Sequence, residues 1–369
     1  MRIAVAGGVT GGHIYPAVAV LEYFMQQKEN VQVLYFATPH GLENREIVRL
    51  FPHARIVKLD VGGLIRPLYS PGNLKVAMRL WRAMRVCKRE LEGFSPDFSF
   101  ITGGYVSVPV GLMSQRLTVP TFVHEQNAIA GKANRVVGKR CTRIFTSFPE
   151  SSRDFGEHLA HKILHTGNPV RNVENRDRKI FEALGLNPNK KIILVTGGSG
   201  GSDFINDRMM ELYRHFSGEN HEMEFLHSCG NEQTLHRLRE FEFVHPFSFI
   251  EDMHLYLSAA DAVVARGGAT TVAEIIAYGV PALIIPWSGA AENHQLINAI
   301  SLEKNRAGFF LEEKEASVEA IGRKLQMLLD KKISQSMRFQ LKELRPLQNP
   351  AHRIFEEITL SIAHAQSQA

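Results

Sequence analysis

Two glycine-rich segments each follow a short apolar run, an arrangement that suits phosphate binding. Residues 2–13 read RIAVAGGVTGGH, and residues 191–202 read KIILVTGGSGGS. Glycine lets backbone N–H groups approach an anion, and the helix that follows points its positive end at it. Glycine also serves a tight strand-to-helix turn, so both interpretations stay open. The fingerprint GxGxxG does not occur cleanly in either loop and Glu43 is only a candidate ribose-binding acid, which disfavours a nicotinamide dehydrogenase.

His13 comes directly after the first glycine-rich loop, where a strand gives way to a helix. In an open α/β sheet this is the edge at which ligands bind. A histidine there can act as a general base, because its ordinary pKa lies near neutrality. It can also be a polar residue in the first turn of the helix, and position alone does not decide between the two.

The stretch ARGGATTVAEIIAYGVPALIIP offers a second candidate site. The strand AVVA leads into Arg266, two glycines and a helix that starts near Thr270 or Thr271. A helix start offers N–H groups and dipole charge to a diphosphate. Glu274 can accept hydrogen bonds from two ribose hydroxyls, or be an acid that the helix dipole favours. Arg266 can place positive charge near the phosphates or brace the loop.

Polar side chains also follow two other apolar strands. Residues 124–127 read HEQN after TFV, and GAAENHQLINA follows ALIIPW. The second segment offers Glu292, His294 and Gln295 to a sugar. Polar clusters at strand ends favour contact with a ligand, but they can also lock two loops together.

Residues 73–91 form a predicted amphipathic helix with a basic face, and Trp81 lies near the edge of its apolar face. Such a helix can lie on an anionic membrane, or it can be a surface helix with a solvated basic face. The preceding GGLIRPLYSPG adds apolar residues and favours the membrane interpretation. The basic residues at helical spacing are Lys75, Arg79, Arg82, Arg85 and Arg89.

These candidates must be positioned by strands and helices that alternate along the chain. This alternation predicts parallel sheets with crossover helices. The two strand–loop–helix openings lie about 190 residues apart, so we predict an α/β protein with two Rossmann-like domains. The segment HTGNPVRN breaks the pattern. We expect domains at 1–166 and 167–346, with a final helix, residues 347–369, packing back on the first.

Composition limits the function classes. Of the 369 residues, 44% are hydrophobic and 22% are charged, as in a soluble globular protein with sizeable cores. The three cysteines lie far apart, so we expect reduced thiols and no metal site. No apolar run approaches the roughly 20 residues that span a bilayer, and no leader precedes the first strand, so we expect a cytoplasmic protein. The net charge of +5 favours anionic partners, but no nucleic-acid-binding signature is present.

Together these motifs resemble the MurG family of N-acetylglucosaminyltransferases, which convert lipid I to lipid II in bacterial peptidoglycan synthesis. The set is specific, because HEQN–GKANR and RGGATTVAE are not general Rossmann features. The resemblance implies a GT-B fold, whose two sheets face an interdomain cleft, with the donor UDP-GlcNAc held mainly by the second domain and no cofactor. The motifs that carry it, in the family's order, are GGVTGGHIYPAVAV, GGYVSVPV, HEQNAIAGKANR, TGNPVR, VTGGSGG, FIEDMHLYLSAAD, RGGATTVAEIIAYGVPALIIP and ENHQLINA.

The resemblance also implies roles for individual residues. His13 would be the base for the acceptor hydroxyl, Asn127 would contact the donor sugar, and Gln295 would hold the N-acetylglucosamine. Ile250 would meet uracil through its backbone. The remaining implied donor contacts, to phosphates, nucleotide, ribose or sugar, are Thr10, Gly11, Gly12, Arg171, Ser199, Ala269, Thr270, Thr271, Val272, Ala273 and Glu274.

Two positions depart from the family pattern. Gly200 stands where the family usually has glutamine, and Val108 stands where it usually has glycine. Neither is among the implied site residues, so the departures bear on fine sugar or acceptor contacts and not on the reaction.

We therefore expect an inverting, metal-independent transfer of N-acetylglucosamine from UDP-GlcNAc to the C4 hydroxyl of the muramic acid in lipid I. The setting would be the cytoplasmic face of the bacterial inner membrane, with an anionic lipid surface and other cell-wall synthesis proteins as partners, and with consequences for cell shape and division. Two alternatives stay open. One is another UDP-GlcNAc enzyme of the same architecture, such as a 2-epimerase, and the other is a non-catalytic sensor that binds a UDP-sugar.

Overall fold

The computed structural model describes residues 1–8, 10–63, 71–173, 176–216, 222–290 and 293–367. The chain divides into two compact units, one made of residues 1–171 and 346–369 and the other of residues 172–345. Each unit is built on a parallel β-sheet with helices between successive strands. The prediction of an α/β protein with two Rossmann-like domains is therefore confirmed.

In the described part of the first unit, seven parallel strands have the order β3-β2-β1-β4-β5-β6-β7. The strands are β1 (Arg2–Gly7), β2 (Gln32–Ala37), β3 (Arg55–Lys58), β4 (Phe98–Gly103), β5 (Thr121–Glu125), β6 (Arg143–Thr146) and β7 (Ile163–His165). The helices between them are α1 (Gly11–Gln27), α2 (Glu43–Leu50), α3 (Gly72–Phe94), α4 (Ser107–Arg116) and α5 (Lys132–Gly138), and two short 3₁₀ helices (Pro149–Phe155, Glu157–Lys162) precede β7.

In the described part of the second unit, six parallel strands have the order β10-β9-β8-β11-β12-β13. The strands are β8 (Lys191–Thr196), β9 (Met223–Ser228), β10 (Val244–Phe247), β11 (Ala262–Ala265), β12 (Ala282–Ile284) and β13 (Phe309–Phe310). A 3₁₀ helix (Arg178–Leu184) precedes them, and the α-helices are α6 (Asp203–Phe216), α7 (Glu232–Leu238), α8 (Met253–Ala259), α9 (Ala269–Tyr278), α10 (His294–Lys304), α11 (Val318–Leu329) and α12 (Lys331–Glu343).

Both sheets reverse their strand order at one point, between β1 and β4 in the first unit and between β8 and β11 in the second. At such a point the connections leave in opposite directions, which opens a crevice outside the carboxyl ends of the strands. The two glycine-rich loops follow β1 and β8 and therefore lie at these two positions. The sheet order thus directs both candidate loops to ligand-binding edges.

The central strands explain why the sequence shows continuous apolar runs there. Val5 of β1 and Val195 of β8, like their neighbours, are fully buried because helices cover both faces of each sheet. A strand buried on both faces carries apolar residues without the alternation seen in half-exposed strands.

The last helix, α13 (Pro350–Ser367), belongs to the first unit. Ile354 and Ile358 are fully buried in its core, and the rings of Phe24 on α1 and Phe355 meet edge to face with centroids 4.8 Å apart. Glu357 accepts from Arg143 Nε at 2.7 Å. Helix α13 therefore packs in the same hydrophobic core as β1 and α1, although it lies far from them in the sequence.

None of the helices in the described ranges is long and apolar enough to cross a lipid bilayer. The apolar segment LIRPLY, residues 64–69, which the sequence analysis joined to the basic helix, lies outside the described residues.

Replacement of Ile358 by alanine should destabilise the first unit. Removal of a fully buried isoleucine side chain lowers the free energy of unfolding by about 2–5 kcal/mol, because apolar contacts are lost and a cavity is left behind. Leu360 on the same helix is 59% exposed, and Leu360→Ala should change that free energy by less than about 0.5 kcal/mol. Chemical denaturation measures both variants, and equal losses would contradict this packing of α13.

Candidate active site

His13 lies in the first turn of α1, directly beyond the carboxyl end of β1. Its main-chain N–H donates to the oxygen of Thr10 at 3.0 Å, and its main-chain oxygen accepts from Thr102 Oγ1 at 2.7 Å. Gly103, at the end of β4, has φ +113°, and a Cβ there would lie 2.8 Å from His13 Nδ1. The glycine is therefore required so that the imidazole can lie against the end of β4.

The imidazole of His13 contacts the polar segment that follows β5. Its Nδ1 lies 3.2 Å from Gln126 Oε1, and the amide nitrogen of Gln126 lies 3.1 Å from Nδ1 of His124. Gln126 and His124 are buried. Burial lowers the pKa of His124 to about 4, which keeps this ring neutral at pH 7. The structure thus brings part of the HEQN segment to the candidate base.

Glu125 holds the loop that carries Asn127. Its Oε1 accepts from the main-chain and side-chain nitrogens of Asn127 at 2.9 and 3.2 Å. Its Oε2 accepts from Gly131 N at 2.9 Å and from Asn134 Nδ2 at 2.8 Å. Four donors around a buried carboxylate fix the loop geometry. Glu125 therefore holds the loop together through its hydrogen bonds, which was one of the two interpretations of the HEQN segment. Asn127 is half-buried at the loop surface.

Three of the remaining candidates of the first unit adjoin His13 at the start of α1. Thr10 is exposed immediately before α1, and Gly11 and Gly12 begin that helix. Arg171, at the end of the unit, is engaged by Glu22 of α1, with NH2 2.7 Å from its Oε1. Glu43 is buried and accepts from Thr38 N at 2.7 Å, so its carboxylate takes part in holding the loop after β2.

In the second unit, the loop after β8 folds back on itself through two glycines. Gly198 has φ +89° and Gly201 has φ +73°, and Gly201 N donates to Gly198 O at 3.0 Å. A Cβ on Gly201 would lie 2.7 Å from Cα of Gly230 and would overlap with the main-chain oxygen of Cys229. The loop therefore packs backbone against backbone at the end of β9, and Ser199 is exposed at its tip.

Gly200 and Val108, the two departures from the family pattern, both lie where the surrounding structure is not tightly packed. A Cβ built on Gly200 meets nothing within 4 Å, so the glutamine usual at this position would project into open space. Val108 is half-buried in the first turn of α4. Neither residue contributes a side-chain hydrogen bond to the groups around His13 described above.

Helix α9 begins at Ala269, one residue before the predicted start, with Gly268 as its extended N-cap. Val272 N donates to Gly268 O at 2.9 Å, so residues 269–271 form the first turn of the helix. Thr270 is buried and Glu274 is half-buried one turn further along. The structure thus places residues 269–274 together at the carboxyl end of β11.

Arg266 braces the loops around this helix start. Its guanidinium donates to Ser202 Oγ at 2.7 and 3.1 Å and to Ile285 O at 3.0 Å, and pairs with Glu313 Oε1 at 2.7 Å. Burial raises the pKa of Glu313, but hydrogen bonds from Ser288 and Arg266 outweigh this and hold it below its usual value. Of the two interpretations of Arg266, these contacts support the bracing of loops after β8, β12 and β13.

Helix α10 packs its first turn against the start of α9. Gln295 Oε1 accepts from Trp287 N at 3.0 Å, and Asn298 Nδ2 donates to Gly267 O at 2.9 Å. A Cβ on Gly267 would overlap with the main-chain oxygen of Gln295. His294 is half-buried and starts α10, while Glu292 lies outside the described residues.

Ile250 follows β10, and its side chain is 4% exposed in the core of the second unit. A buried side chain leaves only the main chain of this residue for contact with a base. Sequence reasoning missed Glu313 as the partner of Arg266, because it stands in the charged run EEKE, which is typical of a solvated turn.

Comparisons with known proteins agree with the division of the chain into two domains. The chain matches the glycosyltransferase family 28 N-terminal domain over residues 3–146 and the C-terminal domain of that family over residues 192–353. It is 39% identical to the UDP-N-acetylglucosamine–N-acetylmuramyl-(pentapeptide) pyrophosphoryl-undecaprenol N-acetylglucosamine transferase of Thermotoga petrophila. The aligned 358 residues cover 97% of this chain and 98% of the relative. The chain belongs to the MurG family.

The folds of other proteins are also similar to this MurG-family chain. A crystal structure of MurG from Acinetobacter baumannii has a TM-score of 0.70 at 24% identity, covering 97% of this chain and 99% of that one. A UDP-GlcNAc 2-epimerase from Neisseria meningitidis bound to UDP-GlcNAc has a TM-score of 0.64 at 16% identity, covering 98% and 100%. These two likenesses establish the GT-B type of fold, and the sequence identity to the transferase establishes the family.

Replacement of Gly201 by alanine should disrupt the loop after β8. A non-glycine residue in the left-handed region costs about 1–2 kcal/mol, and the overlap at the end of β9 adds to it. Gly200→Ala and Gly200→Gln, one residue away in open space, should leave the unfolding free energy within about 0.5 kcal/mol of wild type. Thermal denaturation compares the three variants, and a Gly201→Ala protein as stable as Gly200→Ala would contradict this loop geometry.

Proposed function

We propose that the chain moves N-acetylglucosamine from UDP-GlcNAc to the C4 hydroxyl of the muramic acid in lipid I, with inversion at the anomeric carbon. Membership of the MurG family makes it an N-acetylglucosaminyltransferase of peptidoglycan precursor synthesis. The observation that carries the proposed mechanism is the position of His13 at the point of strand reversal in the first unit, with its ring oriented by Gln126.

The first unit would supply the base. As the acceptor hydroxyl attacks the anomeric carbon, its O–H bond breaks and the proton passes to a ring nitrogen of His13. The bond from the anomeric carbon to the diphosphate oxygen breaks on the opposite face, and the leaving UDP takes that electron pair. A single displacement of this kind inverts the configuration.

The second unit would hold the donor and stabilise the charge that grows on its diphosphate. The N-terminal end of α9, with its positive dipole, and the exposed loop that carries Ser199 would face the diphosphate. The family resemblance implies that Glu274 binds the ribose hydroxyls, that Gln295, together with Asn127 of the first unit, binds the amino sugar, and that the main chain of Ile250 meets uracil. We assign Arg266 to loop support, and Arg171 to the nucleotide once it has left Glu22.

The two alternatives fit less well. The 2-epimerase shares the fold at 16% identity, whereas the named transferase shares 39% of its sequence over nearly the full length. A sensor that only binds UDP-sugar would have no use for an imidazole held in one orientation beside the glycine-rich loop. The transferase activity is therefore the function that these observations support best.

His13→Gln should lower turnover by about 10²–10⁴-fold, because an amide cannot accept the hydroxyl proton. The KM for UDP-GlcNAc should stay close to that of wild type, since the donor contacts of the second unit are intact. His53→Gln, an exposed histidine before β3 at the opposite edge of the sheet, is the matched control. Disaccharide formation on a lipid I analogue is measured, and near-normal turnover of His13→Gln would refute the assignment of the base.

We propose further that α3 rests on the anionic membrane surface where lipid I is displayed. In its first half, Leu74, Met78 and Trp81 are 70%, 47% and 57% exposed. The Arg85 guanidinium lies 4.4 Å from the Trp81 ring centroid, so cationic and apolar groups share one surface. Exposed aromatic and basic groups on one helix favour the boundary between head groups and acyl chains. Lys75 and Arg82 are exposed on the same half of α3.

Not every basic residue of α3 is equally available to lipid. Arg89 pairs with Glu90 at 2.8 Å, and Arg79 lies 3.5 Å from Asp60. We therefore assign the membrane contact to the first half of the helix and to Arg85.

The double variant Arg82→Gln with Arg85→Gln should bind anionic vesicles at least about tenfold more weakly, since each basic residue near such a surface contributes about 1 kcal/mol. Lys139→Gln with Arg140→Gln removes the same charge from an exposed site after α5 and should bind like wild type. Cosedimentation with phosphatidylglycerol-containing vesicles measures both. Equal losses in the two double variants would mean a general charge effect and would contradict the role of α3.

A further inference from the structure

The amide of Gln126 connects two histidines of the first unit, the buried His124 and the half-buried His13. Its Nε2 lies 3.1 Å from the ring Nδ1 of His124 and 3.1 Å from the main-chain oxygen of His124. Its Oε1 lies 3.2 Å from Nδ1 of His13. Gln126 is 1% exposed and His124 is fully buried, so neither side chain is placed to touch a substrate.

The groups around Gln126 permit only one orientation of its amide. The main-chain oxygen of His124 is an acceptor only, so the amide atom beside it must be the NH₂ group. The amide oxygen then faces Nδ1 of His13. Because an amide oxygen cannot donate, Nδ1 of His13 must carry the proton in this contact.

His124 leads to the same orientation by a separate route. Its Nε2 lies 3.2 Å from the main-chain oxygen of Gly167, which only accepts, so Nε2 carries the proton. The ring is neutral at pH 7, since burial lowers its pKa to about 4. Its Nδ1 therefore keeps a lone pair, which accepts from the NH₂ group of Gln126. The hydroxyl of Ser147, 3.4 Å from Nε2, can accept as well and does not disturb this assignment.

We propose that Gln126 is a positioning residue that fixes the proton of His13 on Nδ1 and leaves the lone pair on Nε2 for the acceptor hydroxyl. The catalytic part of this inference rests on the proposed role of His13 as base. A neutral histidine free in water carries its proton mainly on Nε2, the arrangement that would leave the wrong nitrogen basic. Gln126 and, behind it, His124 reverse that preference.

No proton leaves through this chain of hydrogen bonds. When Nε2 of His13 takes the hydroxyl proton, the ring becomes an imidazolium whose Nδ1–H still donates to Gln126 Oε1. The amide oxygen is then placed against a cation, which it stabilises better than the neutral ring. His124 keeps its proton on Nε2 throughout.

The protonation of His13 can be observed directly, without any assay of activity. Protein with ¹⁵N-labelled histidine rings is studied by NMR at a pH where the rings are neutral, and His13→Gln assigns the signals. We expect Nδ1 of His13 in the protonated range and Nε2 in the unprotonated range in the wild-type protein. A wild-type His13 with its proton on Nε2 would overturn the proposal.

Kinetics separates positioning from structure. Gln126→Met keeps the volume but removes both hydrogen-bonding ends, and we expect kcat to fall by about tenfold or more, as wrong-tautomer variants of other histidine bases do. The KM for UDP-GlcNAc should change little, and the His13 signals should move toward the Nε2-protonated form. Gln115→Met is the control, because Gln115 also donates its amide to a main-chain oxygen, that of Val137 at 2.7 Å, but lies away from His13.

The possible failures can be told apart. If His13→Gln keeps normal turnover, His13 is not the base, and the proposed catalytic role of Gln126 is refuted as well. If His13→Gln is inactive while Gln126→Met is folded and keeps the wild-type kcat, only the positioning role is overturned.

Discussion

The close approach of backbone to backbone at the carboxyl ends of the central strands is the constraint on which both candidate sites depend. In the first unit, a Cβ on Gly104 would lie 2.7 Å from Gly8 O, and in the second, a Cβ on Gly230 would lie 2.5 Å from Cα of Gly201. Because glycine has no side chain, these loops can line the carboxyl ends of the strands with main-chain groups. Any larger residue at these points would overlap with the main chain of the neighbouring loop.

Around this frame the two units carry complementary chemistry. The first unit orients the imidazole of His13 through Gln126 and His124, whose side chains are buried and neutral. This chain of hydrogen bonds ends at the main-chain oxygen of Gly167. The second unit surrounds a helix start with loops braced by a buried arginine, Arg266, whose charge Glu313 balances. Groups fixed before the substrate arrives need no reorganisation during the reaction, which is why electrostatic stabilisation by a protein is effective. In the proposed mechanism, the first unit takes up the proton and the second stabilises the growing negative charge.

Much of this could be predicted from the sequence. The alternation of short apolar strands with helical stretches indicated parallel sheets, and two strand–loop–helix openings indicated two Rossmann-like domains. His13, HEQN and RGGATT became candidates because polar or glycine residues directly follow predicted strands. The contacts that position these side chains join segments that are distant in sequence. Arg266 with Glu313, and Gln126 with His13, have no local pattern, because only the sheet order brings their loops together.

The basic helix shows a second limit of sequence reasoning. The pattern of α3 predicted an apolar face, but not which part of that face the protein covers. Ala83, Cys87 and Leu91 are buried, whereas Leu74, Met78 and Trp81 in the first half are exposed. Hydrophobic spacing is the same for a face that packs on a core and for one that meets a lipid surface, so only the packed structure separates the two halves.

The most direct test of the function is UDP release from UDP-GlcNAc by the wild-type chain, with and without a lipid I analogue. If the chain is the transferase, UDP should appear only when the acceptor is present, in step with a new β-linked disaccharide. UDP release or formation of a 2-epimer without acceptor would contradict the transfer and would assign the same architecture to a different reaction.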